Sequence, residues 1–183
     1  CTLWGCPPVR LDAMTVFSST FDSDFFRSAL GRFATGVTVV TGANKDVPGQ
    51  AVGLTVSSFN SVSLNPPLVL WSLAKRSQSL PHFVQGDGYV IHVLGASQLA
   101  LAKRFAWGEH AERFRDHPLK RSPRGLPMLD DDRCSAWFEC KPYAVHEAGD
   151  HLIFIGEVTH CERSAHQPLI YHAGDFDLTP SLA

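Results

Sequence analysis

The chain has 183 residues and a mass of 20.1 kDa, with 44% hydrophobic, 10% aromatic and 19% charged residues, the profile of one globular domain. Lys and Arg total 16 against 18 Asp and Glu, a formal net charge of −2, so there is no cationic excess to neutralise a phosphate backbone and no nucleic acid partner is expected. Polar residues break every apolar stretch short of the roughly 18 positions that a bilayer span needs, so no membrane partner is expected either.

In chain order, residues 1–13 lack a basic stretch followed by an apolar core, which is not a secretory leader, and are expected to be a disordered extension before a single domain over 14–183. Asp22 or Ser23 can cap a first helix whose apolar residues Phe25, Phe26, Ala29, Leu30 and Phe33 recur near a 3.6 period, with Gly36 as its stop. The β-branched run Val37 to Thr41 predicts a strand, residues 42–49 a turn, and Ala51 to about Ser58 the returning strand of a hairpin. Pro66-Pro67 bounds a further strand over Leu68 to Leu73. Ser77 or Ser79 can cap a short helix with Pro81 in its first turn.

Beyond that helix, Tyr89 to Leu94 reads as a strand, Gln98 to Phe105 as a second amphipathic helix, and residues 108–133 as irregular chain of the kind that covers sites. Residues 136–140 and 152–158 read as antiparallel strands around Gly149-Asp150, and Pro168 to Tyr171 as a last short strand. About seven strands without regular βαβ alternation favour an antiparallel barrel, with a doubly wound parallel sheet as the alternative.

Chemistry concentrates in few places. The segment from Thr55 to Pro67 carries the hydroxyls of Thr55, Ser57, Ser58, Ser61 and Ser63. Small hydroxyls and free N–H groups can surround a phosphate without net charge, although the same composition also describes a solvated loop. There is no GxGxxG or GxxxxGK[ST], so a phosphate site here is neither a Rossmann turn nor a P-loop. Lys75-Arg76-Ser77-Gln78-Ser79 places two cations before a helix start and could share that phosphate or merely cap its helix. Gly149-Asp150-His151 makes a tight turn that presents His151 either at a barrel rim or simply to solvent. The nine histidines and five cysteines show no CxxC, HxxxH or HExxH spacing, and no metal is expected. The odd cysteine number fits a reducing cytoplasm.

The motifs FRSALGRFATGVTVVT, GLTVSSFNSVSLNPPLVLWSLAKRSQS, VLGASQLALAKRFA with a following ERF, GDHLIFIGEV and PLIYHAGDF, in this order, resemble the short-chain flavin reductases of the FMN-binding split-barrel group, over about residues 24–175. The resemblance implies a mainly β, six-stranded antiparallel Greek-key split barrel with flanking helices, a homodimer, and FMN or FAD held non-covalently. It also implies NADH or NADPH as hydride donor and a separate monooxygenase that takes the reduced flavin. Carried onto this sequence, the flavin contacts fall on Gly36, Val37 and Thr38, on Leu54, Thr55, Val56, Ser57, Ser58 and Ser61, on Ser72, Leu73, Ala74, Lys75 and Ser77, and on Phe105 and Ala106, with Tyr171 at the same edge. His151 takes the place beside the nicotinamide. The sequence departs from the family pattern at His92, where similar proteins often carry Asn, and at Trp107.

Hydride chemistry belongs to the two cofactor rings, so the protein's part is to hold one ring on the other at about 3–3.5 Å and to exclude water. That accounts for a sequence without a catalytic dyad. Two other readings share the barrel: a flavin-binding carrier or sensor without turnover, and an oxidase of a pyridoxamine phosphate-like amine, which would want more arginines.

Overall fold

Val37 and Val39 point to one side of their strand and Val40 to the other, so a single β-branched run supplies two cores. The computed structural model describes residues 21–177, and the expectation of a disordered extension over residues 1–13 lies outside the described residues. Its main sheet contains β2 (Thr38–Ala43), β3 (Ala51–Val56), β4 (Asn60–Leu64), β5 (Pro67–Ala74), β6 (Tyr89–Val93), β9 (Ala136–Ala148) and β10 (His151–Arg163). These strands are antiparallel in the order β3-β2-β6-β9-β10-β5-β4. Two small sheets flank it. One joins β1 (Thr35–Gly36), β11 (Ile170–His172) and β12 (Asp175–Asp177), and the other pairs β7 (Leu119–Arg121) with β8 (Pro127–Leu129).

The sheet curls until residues from both of its ends share one core. Val40 and Val52 meet Val69, Trp71 and Phe154, with Trp71 stacked on Phe154 at 4.6 Å and edge-on to Phe83 and Tyr89 at 5.1 and 5.4 Å. Full burial of such side chains contributes about 1.5–3 kcal/mol each and is the main term that holds the curl. On the outer face, α3 (Leu99–Trp107) lays Leu101, Ala102 and Phe105 on Val37, Val39 and Leu169. This is the split-barrel architecture that the sequence implies, with seven strands in the main sheet where six were expected.

Several boundaries differ from expectation for local reasons. Helix α1 (Ser23–Leu30) is capped by the Asp22 carboxylate, which accepts the Phe25 N–H at 2.7 Å, but it ends at Gly31 rather than Gly36 because Thr35 and Gly36 are taken up by β11. The Ser-rich segment, read as one strand and turn, bends after Val56 and continues as β4. Helix α2 (Leu80–Val84) has Ser79 at its N-cap without a side-chain cap bond. Residues 108–133, expected to be irregular, contain the β7–β8 hairpin, in which Leu119 to Arg121 pair with Pro127 to Leu129.

The two strands around Gly149-Asp150 each run 13 residues, beyond the apolar stretches that announced them. Gly149 has φ +62°, the positive value that the first central position of a II′ hairpin turn demands.

Candidate functional site

The seam of the barrel lies between β3 and β5, which are not laddered to each other. Strand β3 is an edge strand, so one row of its main-chain N–H and C=O groups has no strand partner. At the mouth of the seam, residues 54–58 of the β3 end, residues 72–74 of β5 and His151 line a cavity of about 280 Å³. A second cavity of about 180 Å³ shares Thr55 and Ser57 with it and is closed by Val37, Ala106, Trp107 and Tyr171. A third, of about 300 Å³, continues along β3 past Gly53 and reaches Gln78, Ser79, His82 and His110. The three form a run along one strand edge, with the histidine at one side and a polar recess at the far end.

The hydroxyls expected to form a phosphate cradle are partly committed elsewhere. Thr55 Oγ1 donates to the Ala102 carbonyl at 2.8 Å and pins α3 to β3, and Thr38 Oγ1 donates to the Val56 carbonyl at 3.0 Å. Ser58 spends its hydroxyl on both main-chain groups of Ser72. Ser57 is exposed and makes no hydrogen bond among the described residues. Ser79 is buried at 1% exposure, lines the third cavity, and its hydroxyl has no partner among the described residues. An orphaned buried hydroxyl costs about 1–3 kcal/mol, and a ligand acceptor in that recess would relieve it. The sequence pointed to Ser79 only through its place in the 75–79 segment.

His151 stands at the tip of the β9–β10 hairpin, paired with Ala74 on one side and Ala148 on the other. Its Nδ1–H donates to the Asp150 carboxylate at 2.7 Å, and that bond holds the Asp150 carboxyl below its ordinary range. A carboxylate only accepts, so Nδ1 carries the proton and Nε2 is left for a ligand. The turn is tied to β5 by the Lys75 N–H on the Asp150 carbonyl at 2.9 Å and by the Lys75–Glu147 ion pair at 3.1 Å.

Of the residues expected to contact flavin, Val37, Leu54 to Ser58, Ser72 to Ala74, Ala106 and Tyr171 line the first two cavities together with His151. The others lie off the cavity walls. Gly36 is exposed on β1, Ser61 is exposed on β4, and Phe105 is fully buried under α3. Thr38 is buried with its hydroxyl used, Lys75 faces Glu147, and Ser77 Oγ accepts the Ser79 N–H at 3.3 Å. His92, where the sequence departs from the family pattern, is buried between the Val39 carbonyl and the Leu129 N–H and lines none of the three cavities of the seam. Trp107, named from the sequence as a departure from the family pattern without a role, is a wall residue of the second cavity. Among the described residues no group of three or more His, Cys, Asp or Glu could hold a metal ion, and no described helix is long and apolar enough to cross a membrane.

A curled antiparallel sheet with an open seam, a free strand edge and a hairpin histidine at its mouth is the architecture of the split-barrel class. The chain belongs to the flavin reductase like domain family, whose match covers residues 30–179. It is 44% identical over 155 residues to an FMN reductase (NADH) of Agrobacterium fabrum, covering 85% of each chain. It is also 36% identical over 166 residues to the reductase subunit of a stachydrine N-demethylase from Rhizobium meliloti, covering 91% of this chain and 70% of the relative. Among solved structures it resembles an NADH:FAD oxidoreductase of Streptomyces globisporus in complex with NAD and FAD fragments. The TM-score is 0.79 at 32% identity, with 88% of this chain and 96% of the other covered.

Proposed function

We propose that the protein is an NAD(P)H:flavin oxidoreductase that supplies reduced FMN or FAD to a separate monooxygenase, with His151 beside the nicotinamide. The observation that carries this reading is the single cavity in which the β3 edge, the end of β5 and His151 converge. Family membership and the reductases among its relatives support it.

When bound, the flavin supplies the chemistry by taking a hydride from the nicotinamide; the chain's residues hold, orient and shield. The open edge of β3 offers N–H donors to the polar rim of a planar ring, and amides held in a sheet need no reorganisation as negative charge builds there. Ser57 adds a hydroxyl at the junction of the first two cavities. Ser79, orphaned in the third recess, takes a phosphate oxygen of the ligand's tail, so the 75–79 segment holds phosphate more than the 55–61 segment does. Asp150 fixes the His151 ring so that Nε2 is presented to the incoming nicotinamide.

Among the described residues no arginine lines the seam cavity, which suits a flavin that is held by hydrogen bonds and ring burial and is then released. Micromolar binding corresponds to about 8 kcal/mol, within reach of a few such contacts. The protein works as a homodimer, a reading supported by the exposed apolar face of Phe25, Phe26 and Leu30 on α1 with Phe33 just after it, and in the cytoplasm, a reading supported by the odd cysteine number without paired spacing. Mixing the purified protein with NADH or NADPH and either FMN or FAD, and following loss of nicotinamide absorbance, tests the activity. Flavin-dependent oxidation is expected. A protein that retains flavin but ignores both nucleotides is a carrier and overturns the reading.

A further inference from the structure

Trp107 ends α3 and is 72% exposed, an expensive way to present the largest apolar ring in the alphabet. Its backbone is anything but loose. Phe105, two positions before it, is fully buried and meets Phe114 edge-on at 4.9 Å, which locks the last helical turn. The chain then turns at Gly108, whose N–H closes on the Arg104 carbonyl at 2.8 Å and where a Cβ would collide with that same carbonyl oxygen. The buried Arg113 clamps both sides of the turn, Nε donating to the Gly108 carbonyl at 3.0 Å and Nη1 to the Gly53 carbonyl of β3 at 2.7 Å. A rigid pedestal thus carries an exposed indole.

The indole borders the second cavity, whose other walls are Val37, Ala106, Tyr171 and the side of Thr55 whose hydroxyl is already spent on Ala102. Among the described residues that line it, Ser57, at the junction with the seam cavity, brings a hydroxyl without a hydrogen bond. An apolar slot with one polar edge suits the benzenoid end of a tricyclic ring whose polar end lies at the β3 edge; it does not suit a phosphate or a sugar.

We propose that Trp107 is the aromatic wall that packs over the benzenoid end of the bound isoalloxazine and sets affinity for the ring rather than for the rest of the nucleotide. The proposal rests on the flavin reading of the groove and adds to it a residue that holds the ring itself. Because the pedestal is fixed, little backbone order is lost when the indole packs. It is made with the part common to riboflavin, FMN and FAD.

The test titrates wild type, Trp107→Ala and Trp107→Phe with riboflavin, FMN and FAD, following flavin fluorescence and absorbance. Trp107→Ala is expected to weaken all three by a common factor of about ten, the scale of one aromatic stacking contact, and Trp107→Phe by less than about threefold. A long-wavelength absorbance shoulder on the bound flavin, from the indole against the oxidised ring, is expected in wild type and absent from Trp107→Ala. Unchanged affinities overturn the proposal. So does weakening confined to FAD, which would put the indole on adenine, and so does a changed association state at unchanged flavin affinity, which would put it against a second copy. If wild type binds none of the three flavins, the flavin reading itself fails and takes this one with it; binding by wild type with an indifferent Trp107 fails this one alone.

Discussion

Ser58 Oγ accepts the main-chain N–H of Ser72 at 2.9 Å and donates to the carbonyl of the same residue at 3.2 Å. One hydroxyl therefore satisfies both backbone groups of a β5 residue across the seam, where no ladder joins β3 to β5. The bridge lets the barrel stay split at the mouth without leaving Ser72 unpaired. Ser58→Ala removes both bonds and is expected to cost about 1–3 kcal/mol, read as a lower urea midpoint at unchanged slope. Ser58→Thr keeps the hydroxyl and should restore most of the loss. A midpoint that does not move for Ser58→Ala would mean that water replaces the bridge freely.

The hairpin histidine separates catalysis from binding. Since His151 lies at the rim and the ring-holding groups lie on β3 and β5, His151→Ala is expected to slow NADH oxidation at saturating flavin by about tenfold or more, the scale of lost positioning. Flavin affinity, measured by fluorescence titration, should stay within about threefold, since the hydrogen bonds to the ring rim do not involve the imidazole. Loss of flavin binding in His151→Ala would reverse the assignment of roles.

Ser79 yields a prediction with opposite signs for stability and binding. Its buried hydroxyl is unpaired, so Ser79→Ala in the absence of flavin should leave stability unchanged or raise it by about 1 kcal/mol. If the third recess takes the ligand's phosphate, the same variant should bind FMN more weakly while binding riboflavin as wild type does. Equal losses for both flavins would place the phosphate elsewhere.

Much of the barrel is legible in the sequence because β-branched runs and turn glycines are local signals. Val37 to Thr41, Ala51 onward and the Gly149-Asp150 turn announce β2, β3 and the β9–β10 hairpin directly. The strand β4 is hidden because Asn60 to Leu64 is polar and exposed, held by its pairing with β5 rather than by propensity. The spent hydroxyls of Thr55 and Ser58 are equally invisible, since their acceptors, Ala102 and Ser72, are distant in sequence. Composition shows that hydroxyls are present; only the tertiary contacts show which remain for a ligand. His92 is the same lesson in reverse, a departure from the family pattern that the fold absorbs into its interior.

Gly156 marks the tightest point of the curl. A Cβ there would collide with the Tyr89 hydroxyl and approach the Cys140 Cβ to 2.9 Å, and the β9–β10 register shifts at this residue. Both neighbours are buried, so neither yields without disturbing the aromatic group around Trp71. Gly156→Ala is expected to destabilise the fold by about 1–3 kcal/mol, seen in urea unfolding, through overpacking rather than backbone strain. An unchanged midpoint would show that Tyr89 can swing aside.

His92 carries a pH dependence whose sign follows from its partners. Fully buried, it donates from Nδ1 to the Val39 carbonyl at 3.0 Å and accepts the Leu129 N–H on Nε2 at 3.1 Å, which fixes the neutral ring. Burial pulls its pKa from 6.5 down to about 4; the Val39 carbonyl offsets part of that shift, while Lys120 and His117 add to it and Asp131 opposes it least. The unfolded chain therefore takes a proton near pH 6.5 that the folded chain refuses until about pH 4. The stability that His92 contributes is fully present above pH 6.5 and is lost as the pH falls through that window, at about 1.4 kcal/mol per pH unit for one proton. His117, also lowered by burial, adds to the same trend. His92→Asn keeps a donor and an acceptor but cannot titrate, so its unfolding free energy should fall between about pH 6.5 and about pH 4.5 with a slope shallower by about one proton than that of wild type. Parallel slopes for the two proteins would mean that His92 titrates normally in the folded state, and that its place between Val39 and Leu129 does not hold it neutral.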